Sequence, residues 1–318
     1  MIVEHRASII LFNVLSGLKD KRKPFLLPAN VCPIVVLTYL KAGVAFELID
    51  IAPDSLCLNE EIALGKLSTN INVYGGIHYV HTFGVENNPS DFFSSVKSLN
   101  ADFFVIDDKC LNIPEFRTNP LQNNIDLELF STGYSKYVDI GWGGFGYLQP
   151  KYLYQPIRIP YELKDLERLT ESIIKNIDDD TIFRYSDSNW LGDTLFSTSP
   201  EKYQQQVMSK MAIVSAHKDV INSFYSHKLP REVQFPIAYQ NWRFNIKVPK
   251  RNELLEKIFE VGLFASTHYP SVTHLFNQIK ASNAEEYNIN ILNLFNDFRF
   301  DLDKAKKITS LINEHLIQ

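Results

Sequence analysis

Four residues with different chemistry follow short apolar runs in the first half of the chain. Asp108 ends ADFFVIDD, Ser131 ends LELFS with Lys136 five positions later, and His81 ends INVYGGIHYVH. In an open α/β sheet, ligands bind beyond the carboxyl ends of the strands, so these side chains are expected to converge there. A lysine amine can form a Schiff base with an aldehyde cofactor, and an acid facing a pyridine nitrogen keeps that nitrogen protonated. These are the parts of a pyridoxal phosphate site.

The elements that must position these residues alternate between strand and helix. Five short runs rich in β-branched and aromatic residues, each followed by turn residues, are typical of strands: FLLPA, FELIDI, INVYGGIHYVH, ADFFVIDD and LELFS. Between them, residues 33–43 form an apolar stretch that closes on glycine, and PSDFFSSVKSL begins with the proline and serine of a helix N-terminus. This order predicts an α/β fold in which helices sandwich a mostly parallel sheet.

The pattern changes near residue 150. Residues 166–177 and 203–214 carry apolar side chains at helical spacing, and residues 308–316 indicate a last amphipathic helix. NWRFNIKVP is typical of a strand, and RNELLEKIFEVG of a helix that ends at glycine. We therefore predict that residues 1–155 form the N-terminal part of a large cofactor-binding domain, residues 156–231 a helical connecting region, and residues 232–318 a small C-terminal α/β domain.

Several segments resemble the DegT/DnrJ/EryC1/StrS sugar aminotransferases, which have the fold type I architecture of pyridoxal-phosphate-dependent transferases. FLLPANVCPIVVLTYLKAGVAFELIDIAPDSLCLN is similar to the family segment that leads from a proline-rich strand end through a helix and a glycine to a strand ending in Asp-Ile. VHTFG resembles its His-x-x-Gly strand end, VIDDKC its Ile-Glu-Asp-Ala-Ala motif, and FSTGYSK its Phe-Ser-x-x-x-x-Lys motif, which a glycine-rich loop follows. NWRFNIKVPKRNELLEKIFEVGLFASTHYPSV looks like its small domain, so the resemblance covers most of the chain.

The resemblance assigns roles residue by residue. It implies that Lys136 is the catalytic Schiff-base lysine and that Asp108, rather than Asp107, is the partner of the pyridinium nitrogen. It also implies that pyridoxal 5'-phosphate is bound by Ser131, by His81, and by the counterparts of the family's Ser-Gly-Thr-Ala phosphate-binding turn, which are Arg6, Ala7 and Ser8. These last three residues would offer the amides of a helix N-terminus to the phosphate.

The activity that the resemblance implies is transfer of an amino group, from glutamate, to a nucleotide-linked keto sugar in cell-surface polysaccharide biosynthesis. The expected partners are the nucleotide sugar, the amino-acid donor and a second copy of the chain in a cytoplasmic homodimer. The family's dehydrating members replace the lysine with histidine, so Lys136 disfavours sugar dehydration. A noncatalytic homologue that binds a ligand or partner is the alternative, because Leu111 replaces a glutamine or histidine near the cofactor and the chain begins almost at the phosphate-binding turn.

Each candidate residue also has a purely structural explanation. A lysine after a strand is most often a solvated surface group, and Asp108 and Ser131 could cap a helix or a turn. His81 is equally well explained as a hydrogen-bonded core residue. Cys32 lies where the family often has an aromatic or small residue, and we expect it to be a buried hydrophobe. The placement of Lys136 among a serine, an acid and the glycines favours the cofactor roles.

The glycine-rich run GWGGFG is not a nucleotide-binding loop. A dinucleotide fingerprint requires a helix directly after it, whereas GYLQPKYLYQP follows, with Pro150 and Pro156. The sequence also contains no GxxxxGK[ST] motif. The glycines are expected to let the backbone turn tightly and approach a cofactor or another subunit closely, and Trp142 is expected to stack on a ligand or pack at a dimer interface.

Composition excludes several other classes of protein. The 318 residues carry a formal charge of −5 without a basic stripe, which argues against nucleic-acid or lipid partners. The three cysteines lack CxxC spacing, so no disulfide framework or zinc knuckle is predicted, and a reducing cytoplasm fits. The longest apolar runs are about half the roughly 20 residues that span a membrane.

Overall fold

The structure is a computed structural model, and it describes residues 1–192 and 198–317. Its strands are β1 (Ile2–Glu4), β2 (Phe25–Pro28), β3 (Phe46–Ile49), β4 (Gly76–Val80), β5 (Phe104–Asp108), β6 (Leu127–Ser131), β7 (Gly144–Leu148), β8 (Phe244–Lys247), β9 (Ala265–Ser266) and β10 (Ile291–Leu294). Its α-helices are α1 (Ala7–Ser16), α2 (Pro33–Ala42), α3 (Glu60–Thr69), α4 (Ser90–Leu99), α5 (Leu163–Asp178), α6 (Pro200–Lys228), α7 (Arg251–Glu260), α8 (Ser282–Asn290) and α9 (Leu302–Ile317).

The first seven strands form one sheet in the order β1-β7-β6-β5-β4-β2-β3. The five strands from β2 to β6 are parallel, whereas β7 runs antiparallel to β6 and β1 antiparallel to β7. Because parallel strands end at the same edge, the residues that follow β2, β4, β5 and β6 lie side by side there. The α/β class and the mostly parallel sheet predicted from the sequence are confirmed.

Helices cover both faces of this sheet. Successive strand residues alternate between two apolar cores, so that Leu26 and Val105 belong to one and Phe25 and Phe104 to the other. The first core also contains residues of α3 and α4, and the second contains residues of α1, α2 and α5. A sheet buried on both faces explains why its parallel strands are apolar throughout.

The strand predicted from INVYGGIHYVH is shorter than the pattern suggested. β4 begins only at Gly76, because residues 70–73 form a turn that closes with a 3.0 Å hydrogen bond from the Val73 amide to the Asn70 carbonyl. Gly76 lies so close to β5 that a Cβ there would be 1.9 Å from the carbonyl oxygen of Phe104. The first half of the run therefore links α3 to the sheet.

The glycine-rich run GWGGFG, expected to be a loop, supplies the first residues of β7. Gly144 and Gly146 alternate along this strand, at positions where the neighbouring backbone leaves no room for a side chain. A Cβ at Gly144 would lie 2.2 Å from the amide nitrogen of Ala7, and one at Gly146 would lie 2.7 Å from the Glu128 carbonyl oxygen. The close approach that these glycines permit is therefore to the chain's own α1 and β6.

The last part of the chain builds a second, antiparallel sheet in the order β8-β10-β9. A separate apolar core joins this sheet to α6, α7 and α9, with Ile221, Leu254 and Ile308 as one buried residue from each helix. The strand predicted from NWRFNIKVP is confined to Phe244–Lys247. The division into three regions at residues 155 and 231 remains a prediction.

The longest helix, α6, has 29 residues and connects the two sheets. It carries charged and polar side chains along its whole length. Among residues 1–192 and 198–317, no helix combines the length and apolar character needed to cross a bilayer.

Replacing Gly144 with alanine is expected to destabilise the protein by about 1–3 kcal/mol, because the new Cβ must displace the first residue of α1. Gly65→Ala is the matched control, since a Cβ at this position in α3 would meet nothing within 4 Å. The control should stabilise the protein by about 0.5–1 kcal/mol, as alanine loses less backbone entropy on folding than glycine. Equilibrium unfolding in urea measures both changes. Equal stabilities for Gly144→Ala and the unmodified protein would show that α1 does not rest on β7.

Candidate active site

A cavity of about 550 Å³ lies at the edge of the large sheet where the parallel strands end. Val80, Asp108 and Ser131, at the ends of β4, β5 and β6, contribute side chains to it. The N-terminal residues of α1 and Cys32, the residue before α2, form further parts of its wall. The topology therefore collects residues that are far apart in the sequence into one enclosed space.

Six of the seven residues predicted to bind a cofactor line this cavity: Lys136, Asp108, Ser131, Arg6, Ala7 and Ser8. Asp108 does not cap a helix, because no helix lies between β5 and β6. Ser131 is the last residue of β6 and is 8% exposed. The structure thus brings these groups together, and their roles remain predictions.

His81, the seventh residue, lies outside the cavity. Its Nε2 atom is 2.7 Å from Oδ1 of Asp107, and its Nδ1 atom is 3.1 Å from the carbonyl oxygen of Val85. Both ring nitrogens therefore have partners in the core, as the structural explanation of this histidine requires. Asp107 and Asp108 point to opposite faces of the sheet because they are consecutive residues of one strand, so only Asp108 reaches the cavity.

The carboxylate of Asp108 is buried and has a hydrogen bond to each oxygen. Oδ2 accepts from Nε2 of His78 at 3.1 Å, and Oδ1 accepts from the Cys110 amide at 2.9 Å. Burial alone would raise the pKa of Asp108, but the hydrogen bond and charge interaction with His78 and the amide of Cys110 together hold the pKa below its ordinary value. Asp108 is therefore ionised at neutral pH.

His78 is a functional candidate that the sequence analysis missed. It is fully buried in β4, and its Nδ1 atom lies 3.2 Å from the hydroxyl of Tyr39 in α2. Nε2 faces the carboxylate, so Nδ1 is the nitrogen that meets the tyrosine hydroxyl, and it accepts from that hydroxyl when it carries no proton. Burial raises the pKa of Tyr39 well above its usual value, and the charge of Asp108 adds to this, so the tyrosine keeps its proton. A histidine inside an otherwise apolar strand was the available signal, because such a side chain needs buried polar partners.

Lys136 lies in the turn that follows β6, with its side chain lining the cavity. Its amide donates to the Gly133 carbonyl at 3.2 Å. Within the described part of the chain, its amine has no hydrogen-bond or ion-pair partner, so it is available to a ligand.

Two thiols, those of Cys32 and Cys110, also line the cavity. Burial raises the pKa of both, which keeps them protonated at neutral pH.

The N-terminus of α1 presents backbone amides without a side-chain cap. Arg6, the residue before the helix, makes no capping hydrogen bond, and its guanidinium instead donates to the Tyr161 hydroxyl at 2.9 Å. An uncapped helix N-terminus attracts anions, because its first N–H groups have no acceptor and the helix dipole is positive there. Ala7 and Ser8 of this turn and Ser131 line the same cavity, so they can act on one anionic group.

The remaining wall is largely apolar and aromatic. Tyr134, Trp142 and Tyr269 line the cavity, and Trp142 stacks on the ring of His5 at 6.3 Å between centroids. Leu111, three positions after Asp108, also lines it and is 5% exposed. A planar ligand with one anionic group and a ring nitrogen would match this combination of aromatic surface, buried carboxylate and helix N-terminus.

Comparison with known proteins establishes the fold. No protein-family profile and no curated protein matches the sequence. The sugar aminotransferase CalS13 from Micromonospora echinospora is 16% identical, with a TM-score of 0.67, over 98% of this chain and 86% of its own. A DegT DnrJ EryC1 StrS aminotransferase from Brucella abortus is 16% identical, with a TM-score of 0.65, over 100% and 86%. The Escherichia coli GDP-4-keto-6-deoxy-D-mannose-3-dehydratase, solved with hydrated pyridoxal phosphate, is 14% identical, with a TM-score of 0.65, over 98% and 87%. The fold type I architecture expected from the sequence resemblance is confirmed.

The His78→Leu variant should lose about 3–5 kcal/mol of stability at neutral pH, because it leaves the Asp108 carboxylate buried without its main partner. Since the pKa of Asp108 is lowered in the folded protein, its stabilising contribution is complete above the ordinary aspartate pKa of 3.8 and is lost as the pH falls through the folded-state value. Without His78, burial raises that pKa instead. The difference in stability between the two proteins should therefore shrink between pH 7 and pH 4.

Urea unfolding at both pH values measures this difference. His78→Leu combined with Asp108→Asn is the matched control, because it removes the buried charge together with its partner and should recover part of the stability. A loss in His78→Leu that is the same at both pH values, and that the second substitution does not relieve, would show that His78 acts through packing alone.

Proposed function

We propose that this protein is a pyridoxal-phosphate-dependent aminotransferase that moves an amino group from an amino acid, glutamate, to a nucleotide-linked keto sugar. The observation that carries the proposal is that the unpartnered amine of Lys136 and the ionised carboxylate of Asp108 line one cavity beside the uncapped N-terminus of α1. Solved structures described as sugar aminotransferases share the fold, which supports this choice of reaction.

The residues of the cavity fit pyridoxal phosphate in three separate respects. Lys136 offers an amine for covalent attachment, and Asp108 offers a negative charge whose oxygens each retain a lone pair beyond their bonds to His78 and Cys110. The first amides of α1 and the Ser131 hydroxyl offer donors to a phosphate. The aromatic wall accommodates a planar ring.

When bound, pyridoxal phosphate supplies an aldehyde that binds amines covalently and a ring that accepts the electrons of a broken C–H bond. Asp108 holds the proton on the ring nitrogen, because an ionised carboxylate accepts a hydrogen bond from N–H⁺. Lys136 would accept the α-carbon proton of the amino donor on Nζ and return it to the former aldehyde carbon of the cofactor, which is separated from the α carbon by the donor nitrogen, as a positioned general base and acid. His78 and Tyr39 keep Asp108 ionised and oriented.

The setting we propose is the synthesis of cell-surface polysaccharides in the cytoplasm, with the chain acting as a homodimer. A sugar acceptor agrees with the fold, which also occurs in a dehydratase named for a GDP-linked keto sugar. Lys136 favours transamination over dehydration, because the resemblance associates dehydration with a histidine at this position.

A noncatalytic binding protein is the second candidate, and Leu111 is the observation that favours it. This leucine puts an apolar side chain into the cavity, at the position where the sequence resemblance leads us to expect a glutamine or histidine. A cavity that binds pyridoxal phosphate and does not react with any amino acid would support this reading. The noncatalytic candidate binds a ligand or partner without turnover, so failure to capture the cofactor, or capture without a response to an amino donor, would favour it.

Lys136→Ala should lower transamination by about 10²–10⁴-fold or more, because it removes the amine that attaches the cofactor and moves the proton. In the unmodified protein, added pyridoxal phosphate should give a visible absorbance band that borohydride fixes onto the chain. The variant should show neither the band nor the fixed adduct. Lys210→Ala, which changes an exposed lysine of α6, is the control and should behave as the unmodified protein does.

Glutamate added to the loaded protein should remove the visible band within the time of one turnover if the first half-reaction occurs. A band that forms on Lys136 and does not respond to glutamate or to other amino acids would favour the noncatalytic candidate. A Lys136→Ala protein with undiminished activity would overturn the proposal.

A further inference from the structure

Ser135, the residue before Lys136, is held in an unusual conformation by three hydrogen bonds. Its φ angle is +62°, in the left-handed region that non-glycine residues rarely adopt. Its amide donates to Oδ2 of Asp139 at 2.8 Å, its carbonyl accepts from the Trp242 indole at 2.7 Å, and its hydroxyl accepts from Nη2 of Arg243 at 2.7 Å. Every polar group of this serine therefore has a hydrogen-bond partner. These contacts stabilise a backbone conformation that is unfavourable for a non-glycine residue on its own.

Two of these three partners come from the C-terminal part of the chain. Trp242 and Arg243 directly precede β8, more than 100 positions after Ser135. The third partner, Asp139, is itself held from that side, since its carboxylate accepts from Nη2 of Arg299 at 2.7 Å. The turn that carries Lys136 thus follows a strand of the large sheet and is held in place by residues from the C-terminal part of the chain.

Arg243 is a buried cation that forms no ion pair with the described residues, and the charge of Asp297 only partly offsets its burial. It is 4% exposed, and its Nε atom has no hydrogen-bond partner. Its guanidinium packs over the ring of Trp242 at 4.3 Å and over the ring of Phe295 at 3.9 Å, and its other terminal nitrogen donates to the hydroxyl of Ser266. Burial lowers its pKa to about 10, which still leaves it charged at neutral pH. Burying an unpaired charge is unfavourable, so packing alone does not explain an arginine here.

Trp242 and Arg243 also lie next to the wall of the cavity. The ring of Trp242 stacks on that of Tyr269, which lines the cavity, at 6.0 Å between centroids. Burial, together with the charges of Arg243 and Lys136, lowers the pKa of His268, the residue before Tyr269, to about 4. The group formed by Trp242 and Arg243 therefore adjoins the site where the Lys136 amine emerges.

We infer that Arg243 and Trp242 are positioning residues for Lys136, which hold Ser135 in its left-handed conformation and so set the direction in which the lysine side chain enters the cavity. The inference rests on the proposed function insofar as Lys136 is the reactive amine. The direction of an attacking amine matters because a displacement of about 1 Å can change a rate by about 10²-fold.

The test compares Arg243→Met and Ser135→Gly with the unmodified protein. Arg243→Met keeps the packed volume and removes the donor to Ser135, while Ser135→Gly tolerates the φ angle and removes the acceptor. Arg251→Met is the matched control, because Arg251 is also buried and also has an unpartnered Nε atom, but donates to the carbonyl of Ile291 in the C-terminal sheet. Thermal unfolding of each protein identifies any variant that fails to fold.

The rates at which Lys136 reacts with two different aldehydes distinguish a change in the orientation of its side chain from a change in its solvent accessibility. Capture of pyridoxal phosphate on Lys136, located by borohydride reduction and peptide mass spectrometry, should slow by about 10- to 100-fold in both variants. Reductive methylation of Lys136 by formaldehyde should stay within about twofold, because a one-carbon aldehyde makes little demand on orientation. Arg251→Met should leave both rates unchanged. Amide exchange of Ser135 and Lys136 should quicken in Arg243→Met, since the turn loses a restraint.

Unchanged capture of pyridoxal phosphate in Arg243→Met and Ser135→Gly would overturn the inference, and so would an equal loss in Arg251→Met. A parallel fall in both aldehyde reactions would also overturn it, because the lysine would then simply be less accessible. If the unmodified protein captures no pyridoxal phosphate, the proposed function fails. The exchange rates of Ser135 and Lys136 then decide whether Arg243 holds the turn, since unchanged rates in Arg243→Met would refute that as well.

Discussion

A carboxylate that is buried and nevertheless ionised is the constraint on which the site depends. Asp108 can remain charged only if donors meet both of its oxygens, and these come from His78 on the neighbouring strand and from the backbone of Cys110. His78 in turn requires the hydroxyl of Tyr39 from α2. One charge therefore dictates the register of β4 on β5, the placement of α2 over the sheet, and the identity of two residues that never reach the cavity.

The two consecutive acids of β5 show how a strand separates the side chains of the cavity from those of the core. Asp108 faces the cavity, whereas Asp107 faces the opposite side, where His81 donates to it at 2.7 Å. There Glu128 forms ion pairs with Lys109 and Arg117, so this face has its own balanced set of charges. The pleat of the strand keeps the two sets apart although their acids are adjacent in sequence.

Most of the large sheet could be predicted from the sequence, because short apolar runs that alternate with helical patterns leave few other arrangements. The convergence of Lys136, Asp108 and Ser131 followed from the rule that parallel strands end at one edge. His81 showed the limit of that rule, since a side chain at a strand end can lie on either face of the sheet. The pattern of INVYGGIHYVH did not indicate which of its residues lie on which face. His78 was missed although a histidine inside an apolar strand was a signal, because its partners Tyr39 and Asp108 are distant in sequence. Ser135 gave no such signal, since its contacts with Trp242 and Arg243 depend on the tertiary fold.

The hydrogen bonds between Ser135 and C-terminal residues affect the order in which parts of the chain fold during synthesis. Its partners Trp242 and Arg243 lie 107 and 108 positions further along, so they are still within or behind the ribosome when the large sheet first emerges. Protein chains begin to fold from the N-terminus as they are made, at about 5–20 residues per second. The nascent large sheet can therefore form several seconds before the lysine turn is completed, and the Lys136 amine acquires its final orientation only once the C-terminal residues have docked.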